Sequence, residues 1–513
     1  MTSHNTAGLH HSPAKPAPST ESIGENLRPV MKIKIKNLTW DPSIYPRTAK
    51  SRQTINAYAE ALAINAQFPP IKIQRVFNYP ADSKTTRAAI ILDGNHRCEA
   101  FQEKGIEEIP AIEWNDQPLD YQENKIPLLL ESARCNTIHG DRLTPNDKKQ
   151  VARDIAAIDP ECKYTEDSLA QKLGVTRQTI NIWISDIRAR QRTNRNSIII
   201  RLSRLGWTQE KISEKIGLSR NRVSEIVGNA NICDIDTLLS QGHNMKYIAA
   251  HYQMDLALTW AIRLQGKTDQ EKFKELGWGL RTWDQWNFNE CDERFGDDWP
   301  GRIPAQLIAH TLFYFTKPND LVLDPMAGGG VVPDTCLLFE RKCQAFDLAP
   351  QDNRPEIEYH HWDTQKEEWP VTKKPDLIFF DPPYYTKKKK EYEQKANKDT
   401  PSISSCTKKD YIKFFKDFFI LAHKNAKPAT TLAFLNADWR DFESTPASEE
   451  KPDKAITIFD YHKLLSETGW KTIFRIECPL STERLTGNQV QKMQDKRILG
   501  TIGRTLLIAK KNI

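Results

Sequence analysis

The sequence predicts a multidomain α/β protein, and three features of its 513 residues lead to that prediction. A chain of this length exceeds the roughly 100–200 residues of one domain. Alternating strand patterns come first, followed by a helical region with two similar glycine-turn segments. The last part alternates strands with helices, which is typical of a mostly parallel sheet covered on both faces. The predicted ranges are a disordered tail at 1–30, an α+β domain at 31–142, a helical region at 143–266 and an α/β domain at 267–513.

Composition excludes several classes of protein. No stretch approaches the ~18 apolar residues that span a bilayer, so no membrane partner is expected. Residues 1–29 lack the apolar core of a secretory signal. The nine cysteines are odd in number and lack the C-x-x-C spacing, which argues against a disulfide framework and a metal site, so we expect a cytoplasmic protein. The 73 Lys and Arg exceed the 67 Asp and Glu, and this net charge of +6 permits nucleic-acid binding without proving it.

The α+β domain begins with an alternating pattern. Met31–Lys36 alternates apolar and polar residues, as a half-buried strand does. Further strands are predicted at Pro69–Val76, Ala88–Leu92 and Ile109–Trp114. A helical run over Cys98–Lys104 separates the last two strands.

The turn between the third strand and this helix contains the candidate residues of the domain. It reads Asp93-Gly-Asn-His-Arg97, and a Gly-containing turn that opens a helix exposes N–H groups suited to phosphate. Its last residue adds a forked donor. The strand–DGNHR–helix–IPAIEW order, with the later run Ala133–Asp147, resembles the ParB/sulfiredoxin-like nucleotide-binding fold. That resemblance implies a CTP site at Gly94, His96 and Arg97.

One part of the ParB pattern is missing. ParB clamps carry Glu-Asn-x-x-Arg ahead of the next helix, whereas this chain has Asn136, Thr137 and Gly140 at the Glu, Asn and Arg positions. Because the acidic metal contact and the Arg are absent, we expect weak or no nucleotide hydrolysis, with any CTP binding dependent on Arg97. The alternative is a domain that only docks protein or DNA.

The helical region contains repeated helix-turn-helix patterns. In Leu169–Ile184, Gly174 makes the turn and Thr176 caps the second helix. The pattern recurs 43 residues later in Ile212–Val227, and a third copy starts at Ile248 with Gln in place of the turn Gly. In such units the second helix enters the major groove of DNA, where Arg, Asn and Gln can read bases. A helical hairpin that only joins domains is the alternative. The predicted DNA-binding residues are Arg177, Gln178, Asn181, Arg220, Asn221 and Arg222.

The last domain alternates helices and strands. A helix is predicted over Pro304–Leu312, and strands over Asp320–Leu323, Lys342–Phe346, Tyr359–Asp363 and Asp376–Phe380. Each strand ends at or beside an acidic residue. Ligands of parallel sheets bind at the carboxyl ends of the strands, so these acids are expected to share one site.

The first two strand ends suit an adenosine-containing cofactor. Asp324-Pro-Met-Ala-Gly-Gly-Gly330 gives a tight turn through which backbone can approach a ligand. Asp347 lies 23 residues after Asp324, at the end of the next strand. An acid in that position accepts both hydroxyls of a ribose in dinucleotide-binding folds. Asp363 could accept from an adenine amino group. The predicted cofactor-binding residues are Asp324, Pro325, Gly328, Gly330, Asp347 and Asp363.

The fourth strand runs into Asp381-Pro-Pro-Tyr384, whose chemistry suits an aromatic amine. Such an amine is a poor nucleophile because its lone pair is delocalised into the ring. The Asp381 carboxylate and the Pro382 carbonyl can each accept one N–H bond, while Pro383 stiffens the turn. The Tyr384 ring can stack a base flipped from a duplex. Methylation at cytosine C5 would need a Pro-Cys dipeptide, and none of the nine cysteines follows a proline.

The glycine turn and the Asp-Pro-Pro-Tyr strand end together resemble the amino-methyltransferases that modify exocyclic nitrogens of DNA bases. The resemblance implies a Rossmann-like domain that uses S-adenosylmethionine on double-stranded DNA. Adenine N6 is preferred over cytosine N4, because Asp-Pro-Pro-Tyr is commoner in the adenine enzymes. One alternative is an RNA guanine-N2 methyltransferase, and another is a ParB-like DNA-binding regulator with a vestigial methyltransferase domain. The catalytic residues that the resemblance implies are Asp381, Pro382, Pro383 and Tyr384.

Overall fold

The structure is a computed structural model that describes most of the chain. The described residues are 28–47, 50–79, 86–138, 143–229, 234–288, 290–362, 368–371, 373–385, 402–440, 455–479, 486–497, 499 and 503–511. Contacts within the chain divide it into two compact units, one ending at Gln191 and the other beginning at Arg192. This division falls inside the predicted helical region, so the two units share its helices. The domain ranges given above stay predictions.

The first unit is an α+β domain built on a six-stranded mixed sheet. Its strands are β1 Met31–Lys34, β2 Leu38–Thr39, β3 Ile71–Phe77, β4 Arg87–Asp93, β5 Glu108–Glu113 and β6 Leu119–Asp120. They lie in the order β1-β5-β3-β4-β2, and β6 also pairs with β3. Its helices are α1 Arg52–Ala63, α2 Asn95–Glu103, α3 Tyr121–Ile138, α4 Pro145–Ile158 and α5 Glu166–Leu173, followed by α6 Arg177–Arg204, which continues past Gln191.

An apolar core joins the sheet of the first unit to the helices that follow it. Leu92 of β4, Leu129 of α3 and Ile155 of α4 are buried together. Leu169 of α5 and Ile180 of α6 belong to the same core. The first helix-turn-helix pattern therefore packs as part of this unit.

The second unit contains a seven-stranded sheet and helices on both of its faces. Its strands are β7 Leu321–Asp324, β8 Lys342–Asp347, β9 Ile357–Tyr359, β10 Leu377–Phe380, β11 Thr431–Asn436, β12 Trp439–Arg440, β13 Ala455–Ile456, β14 Trp470–Glu477 and β15 Thr505–Lys511. Its helices after α6 are α7 Gln209–Ile216, α8 Arg220–Gly228, α9 Ile235–Ser240, α10 Met245–His251, α11 Leu256–Arg263, α12 Asp269–Glu275, α13 Ala305–Phe315, α14 Val331–Leu338, α15 Lys408–Asn425, α16 Ile458–Glu467 and α17 Gly487–Lys496.

The sheet order is β14-β15-β11-β10-β7-β8-β9, and β12 and β13 form a separate pair. The five strands from β11 to β9 are parallel, whereas β15 is antiparallel to both of its neighbours. Among the described residues, no helix has the length and apolar character needed to cross a membrane.

Alternate residues of the central strands are buried in two separate apolar cores. Leu377 and Phe379 of β10 face one core, and Ile378 and Phe380 face the other. The first core contains residues of α6, α7, α8, α11, α13 and α14, and the second contains residues of α15 and α16. Because β10 is buried on both faces, it reads as a continuous apolar run. The predicted multidomain α/β fold class is confirmed.

One strand prediction was wrong in position. The third strand of the α/β domain was expected over Tyr359–Asp363, whereas β9 spans Ile357–Tyr359. The β9 residues pair with Ala345, Phe346 and Asp347 of β8. The His-His-Trp sequence that follows is therefore a loop at the carboxyl end of the sheet.

Candidate active site

The strand order of the large sheet reverses at β7. The strands β8 and β9 lie on one side of β7, and β10 and β11 lie on the other. Loops that leave the carboxyl ends of β7 and β10 therefore diverge, and ligands of open α/β sheets bind in the crevice between such loops. Asp324 ends β7, Asp347 ends β8 and Asp381 directly follows β10. All three carboxyl groups line one cavity of about 190 Å³.

The glycine turn between β7 and α14 is tightly folded. The Met326 N–H donates to Asp324 Oδ1 over 3.2 Å. Gly328 and Gly330 hold left-handed backbone, with φ of +50° and +81°. A Cβ on Gly328 would lie 2.7 Å from the indole of Trp299. Residues 295–302, named the covering segment here, thus lie directly against the turn.

Asp347 anchors the same turn from β8. Its carboxylate oxygens accept N–H bonds from Gly328 over 2.8 Å and from Ala349 over 2.9 Å. Burial raises the pKa of Asp347, although these two donors favour the carboxylate. Each carboxylate oxygen has a second lone pair, so Asp347 can still accept a ligand hydroxyl.

Asp324 is the most deeply buried acid of the cavity. It is 2% exposed, and its Oδ2 has no hydrogen-bond partner among the residues that the structure describes. Burial raises the pKa of Asp324 well above its usual value, and the nearby Asp347 and Asp381 carboxyls add to that effect. A buried polar atom without a partner costs about 1–3 kcal/mol, more for a charged group. A cationic ligand group at this point would remove the cost.

The predicted catalytic tetrapeptide begins at the carboxyl end of β10. The Tyr384 hydroxyl donates to Asp381 Oδ1 over 3.0 Å. Burial raises the pKa of Asp381 to about 7, while the Arg504 charge and the Tyr384 hydrogen bond oppose that rise. At neutral pH the Asp381 carboxyl is therefore poised between its protonated and ionised forms. Pro382 is buried and Pro383 lines the cavity.

A second tyrosine supports the tetrapeptide from behind. The Tyr411 hydroxyl, on α15, donates to the Pro383 carbonyl over 3.1 Å. Tyr411 is fully buried. The sequence offers no spacing rule that joins residue 411 to the strand end at 381, so sequence reasoning missed it.

Aromatic side chains complete the cavity wall. Trp299, His360 and Trp362 line it, and the Trp362 Nε1–H donates to the Pro325 carbonyl over 2.6 Å. Sequence reasoning missed these three, although the crowding of tryptophans before residue 300 and the His-His-Trp after β9 were the available signals. Asp363, predicted to contact the adenine, lies outside the described residues.

The six predicted DNA-binding residues are exposed, in the first two turns of α6 and the first turn of α8. Gly174 ends α5, and the Thr176 hydroxyl caps α6 by accepting the Thr179 N–H over 3.1 Å. Gly217 ends α7 in the same left-handed conformation, and Ser219 caps α8. Both patterns thus have the short helix, tight turn and capped second helix that were predicted. Their contact with DNA stays a prediction.

Each of the two patterns also has an exposed ion pair between its two helices. Arg177 pairs with Asp167 at 3.5 Å, and Arg220 pairs with Glu210 at 2.9 Å. Exposed pairs contribute roughly 0–1 kcal/mol, so a phosphate or a base edge can displace the acid at little cost.

The third pattern differs in what its second helix contacts. Gln253 takes the left-handed turn position at φ +50°, and Asp255 caps α11. However, Ala257, Leu258 and Ala261 of α11 are buried in the core beside the sheet. This helix is therefore a packing element of the second unit.

The candidate nucleotide turn of the first unit is held by its own side chains. Gly94 precedes α2 with φ +99°, and a Cβ there would lie 2.4 Å from Ile71. The Arg97 guanidinium donates to Asp93 over 2.7 Å and to the Pro69 carbonyl over 2.5 Å. Arg97 thus fixes the turn against the sheet, which its sequence position did not reveal.

His96 of the turn and Asn136 of the second ParB motif also have partners within the first unit. His96 Nε2 accepts the Ser51 N–H over 3.0 Å. Asn136, at the position of the ParB Glu, accepts from Arg47 over 3.3 Å. Gly140 lies outside the described residues.

Comparison with known proteins gives likenesses of fold only. No protein-family model and no curated protein matches the chain. Among solved structures, geranyl diphosphate C-methyltransferase from Streptomyces coelicolor is 12% identical, with coverage of 40% of this chain and 74% of that chain and a TM-score of 0.27. A Pnob8-like ParB-N domain is 13% identical, with coverage of 40% and 94% and a TM-score of 0.24. ParB from Caulobacter crescentus, complexed with CTP-γ-S, is 14% identical, with coverage of 39% and 99% and a TM-score of 0.18.

Proposed function

We propose that the chain is an S-adenosylmethionine-dependent methyltransferase that modifies an exocyclic base nitrogen of double-stranded DNA, adenine N6 in preference to cytosine N4. One observation carries the proposal: the acid of the Asp-Pro-Pro-Tyr strand end and the acids of the glycine turn line the same cavity. That cavity lies where the strand order reverses. This shared cavity supports the proposal that the glycine turn binds the cofactor and that Asp381 accepts the target amine.

The residues of the cavity fit the cofactor. The partnerless Asp324 Oδ2 suits an ammonium or sulfonium charge. Asp347 keeps lone pairs for the ribose hydroxyls, and the rings of Trp299 and Trp362 offer apolar walls for the adenine. When bound, S-adenosylmethionine supplies a methyl group activated by its sulfonium.

The tetrapeptide orients the nucleophile. The ionised Asp381 accepts one N–H of the target amine and the Pro382 carbonyl accepts the other, which turns the nitrogen lone pair towards the methyl group. The Tyr384 hydroxyl donates to Asp381 Oδ1 in this structure, and the carboxylate keeps further lone pairs that can accept the amine N–H while this bond remains. The Tyr384 ring then provides a stacking face for the flipped base.

Duplex DNA is proposed as the substrate because of the exposed starts of α6 and α8. These helices present Arg177, Gln178 and Asn181 in one unit, and Arg220, Asn221 and Arg222 in the other. Such side chains suit base edges and phosphates of a B-form major groove. They count against the RNA alternative, and the intact acids of the cavity count against a vestigial domain.

The test is transfer of a tritiated methyl group from S-adenosylmethionine to unmethylated DNA by the full chain. Asp381→Ala should abolish transfer and leave cofactor binding, measured by calorimetry, close to wild type. Detection of modified bases in the product then distinguishes adenine N6 from cytosine N4. Methylation of tRNA but not of duplex DNA would establish the RNA alternative. Transfer by Asp381→Ala at a comparable rate would remove Asp381 from the catalytic site.

CTP binding to the first unit is a second proposal. The observation that favours it is the left-handed Gly94 at the start of α2, a helix start that no side chain caps and whose position suits a phosphate. Labelled CTP should be hydrolysed weakly or not at all, and any binding should depend on Arg97. Arg97→Ala should reduce binding, chiefly because the turn loses its contacts with Asp93 and Pro69. Robust CTP hydrolysis by the wild type would contradict the expectation drawn from Asn136.

A further inference from the structure

Five charged side chains gather beside the glycine turn, and none of them was singled out by the sequence. Arg201, Asp334, Arg354 and Glu356 are only 2–7% exposed, and Asp297 lies at the edge. These five residues, named the Asp334 cluster here, come from α6, α14, the covering segment and the loop between β8 and β9.

The cluster is closely connected. Arg354 Nη1 lies 2.7 Å from Asp334 Oδ1, and the same guanidinium donates twice to Asp297, each time over 2.8 Å. Arg201 bridges Asp334 and Glu356, with 2.6 Å to Glu356 Oε1. Although burial opposes ionisation, Arg354 and Arg201 hold the pKa of Asp334 below its usual value. Asp334 is therefore ionised at neutral pH.

Beyond its five members, the cluster contacts Asp255 through Arg201 Nη1 over 3.2 Å, Asn353 through Asp297 over 2.9 Å, and the backbone around the glycine turn. Asp334 Oδ2 accepts the Gly296 N–H over 2.6 Å. The Asp297 N–H donates to the Gly329 carbonyl over 2.8 Å. A Cβ on Gly330 would lie 3.1 Å from the Arg354 guanidinium. The cluster thus fixes both the glycine turn and the covering segment that lies against it.

Burying charges is expensive, and a cluster of this kind is weak evidence for stability alone. A hydrophobic core would fill the same space, yet it could not hold two backbone segments by directed hydrogen bonds. The cost of burying these charges is therefore better explained if the cluster positions the glycine turn and the covering segment. Arg201 completes the cluster from outside the α/β sequence motifs, since it lies on the helix that leads into the second helix-turn-helix pattern.

We propose that Arg201 is a positioning residue for the cofactor site, acting through Asp334 and Arg354 on the glycine turn. The proposal rests on the proposed function only in taking that turn as the cofactor loop. It extends the site to a residue 123 positions before Asp324 in the sequence.

The experiment compares two single substitutions on the same helix. Arg201→Lys keeps the charge, so the domain should stay folded. The shorter lysine has one nitrogen, which cannot take both the Nη1 position beside Asp255 and the Nη2 position beside Asp334 and Glu356. Arg204→Lys is the matched control, because Arg204 contacts Gln265 and lies outside the cluster. Calorimetry gives the dissociation constant for S-adenosylmethionine, steady-state kinetics give kcat and KM, and thermal melting reports folding. Asp334→Asn provides a second entry into the cluster if Arg201→Lys does not fold.

We expect Arg201→Lys to change the affinity for the cofactor but not the turnover number. Arg201→Lys should raise the dissociation constant and the KM for S-adenosylmethionine about tenfold, equivalent to about 1.4 kcal/mol. Its kcat at saturating cofactor, its KM for DNA and its melting midpoint should match Arg204→Lys. Equal cofactor affinity in the two folded variants would overturn the proposal. So would a melting midpoint that falls with no change in affinity, which would mark Arg201 as structural only. A wild type that binds no S-adenosylmethionine would overturn both this inference and the proposed function.

Discussion

Methyl transfer should depend on the ionisation of Asp381, and this can be followed directly through pH. Only the carboxylate can accept an N–H bond on either oxygen, so activity should rise with pH through the pKa of Asp381, which burial raises to about 7. The ionised fraction is then about one tenth at pH 6, one half at pH 7 and nine tenths at pH 8. We expect kcat/KM, which reports the ionisation of the free enzyme, to rise about tenfold across this range.

Tyr384→Phe supplies the perturbation. Phenylalanine keeps the ring but removes the hydroxyl that donates to Asp381 Oδ1 over 3.0 Å. Because that bond favours the carboxylate, its loss should raise the pKa further and move the activity profile to higher pH. The variant should lose most activity near pH 6 and approach wild type near pH 9. The assay is tritium transfer at fixed ionic strength, with cofactor binding measured at each pH as the control.

The same ionisation affects stability with the opposite sign. An acid whose folded pKa is raised stabilises the fold at pH values below its unfolded pKa, and that contribution is lost as pH rises through about 7. The shift from 3.8 to about 7 corresponds to at most about 4 kcal/mol, an upper limit because the cavity admits water to the carboxyl. Asp381→Asn should therefore abolish transfer and yet raise the melting midpoint at pH 8. A flat activity profile between pH 6 and pH 8, or a Tyr384→Phe profile displaced to lower pH, would refute the reasoning.

Three further substitutions test other contacts. Gly328→Ala places a Cβ 2.7 Å from the indole of the covering segment at a left-handed φ, so calorimetry should show cofactor binding at least about tenfold weaker, and an unchanged affinity would contradict the packing. Tyr411→Phe removes the hydrogen bond to the Pro383 carbonyl, worth about 1 kcal/mol, so kcat should fall several-fold while cofactor affinity stays constant; a parallel loss of both would point to misfolding instead. Replacing Arg220 and Arg222 by Ala should weaken DNA binding and reduce the slope of log affinity against log salt by about 2, and an unaltered slope would exclude phosphate contacts at these positions.

The strand ends were predictable from sequence because two local rules meet there. The strands β7 and β10 read as apolar runs. An acid ends or follows each of β7, β8 and β10, so the parallel topology alone brings Asp324, Asp347 and Asp381 to one edge. The glycine turn needed no tertiary information either, because its left-handed residues are glycines. These local signals are what identified the cavity.

The rest of the site depends on packing between segments far apart in the chain. Trp299 reaches the glycine turn because the covering segment folds back on it, and Tyr411 reaches Pro383 from the helix on the other face of the sheet. The spacing of these residues in the sequence predicts neither contact. Arg97 shows the converse: a first-turn arginine has the residue type of a phosphate ligand, yet its guanidinium is directed to Asp93 and backbone. The identity of a side chain predicted which groups it can bind, whereas only the tertiary structure showed which groups it contacts.

Under the proposed function, the packing of α7 and α8 onto the seven-stranded sheet has a consequence for how target specificity can change. Ile212 and Val223 share a core with strand residues such as Val322, so the second helix-turn-helix pattern is not an interchangeable cassette. Recombination between residues 192 and 305 would strip one face of the sheet and remove Arg201 from its partners. New sequence preferences should therefore arise by point substitution in the exposed first turn of α8, and engineering of altered specificity should begin there with the core-facing side of that helix left intact.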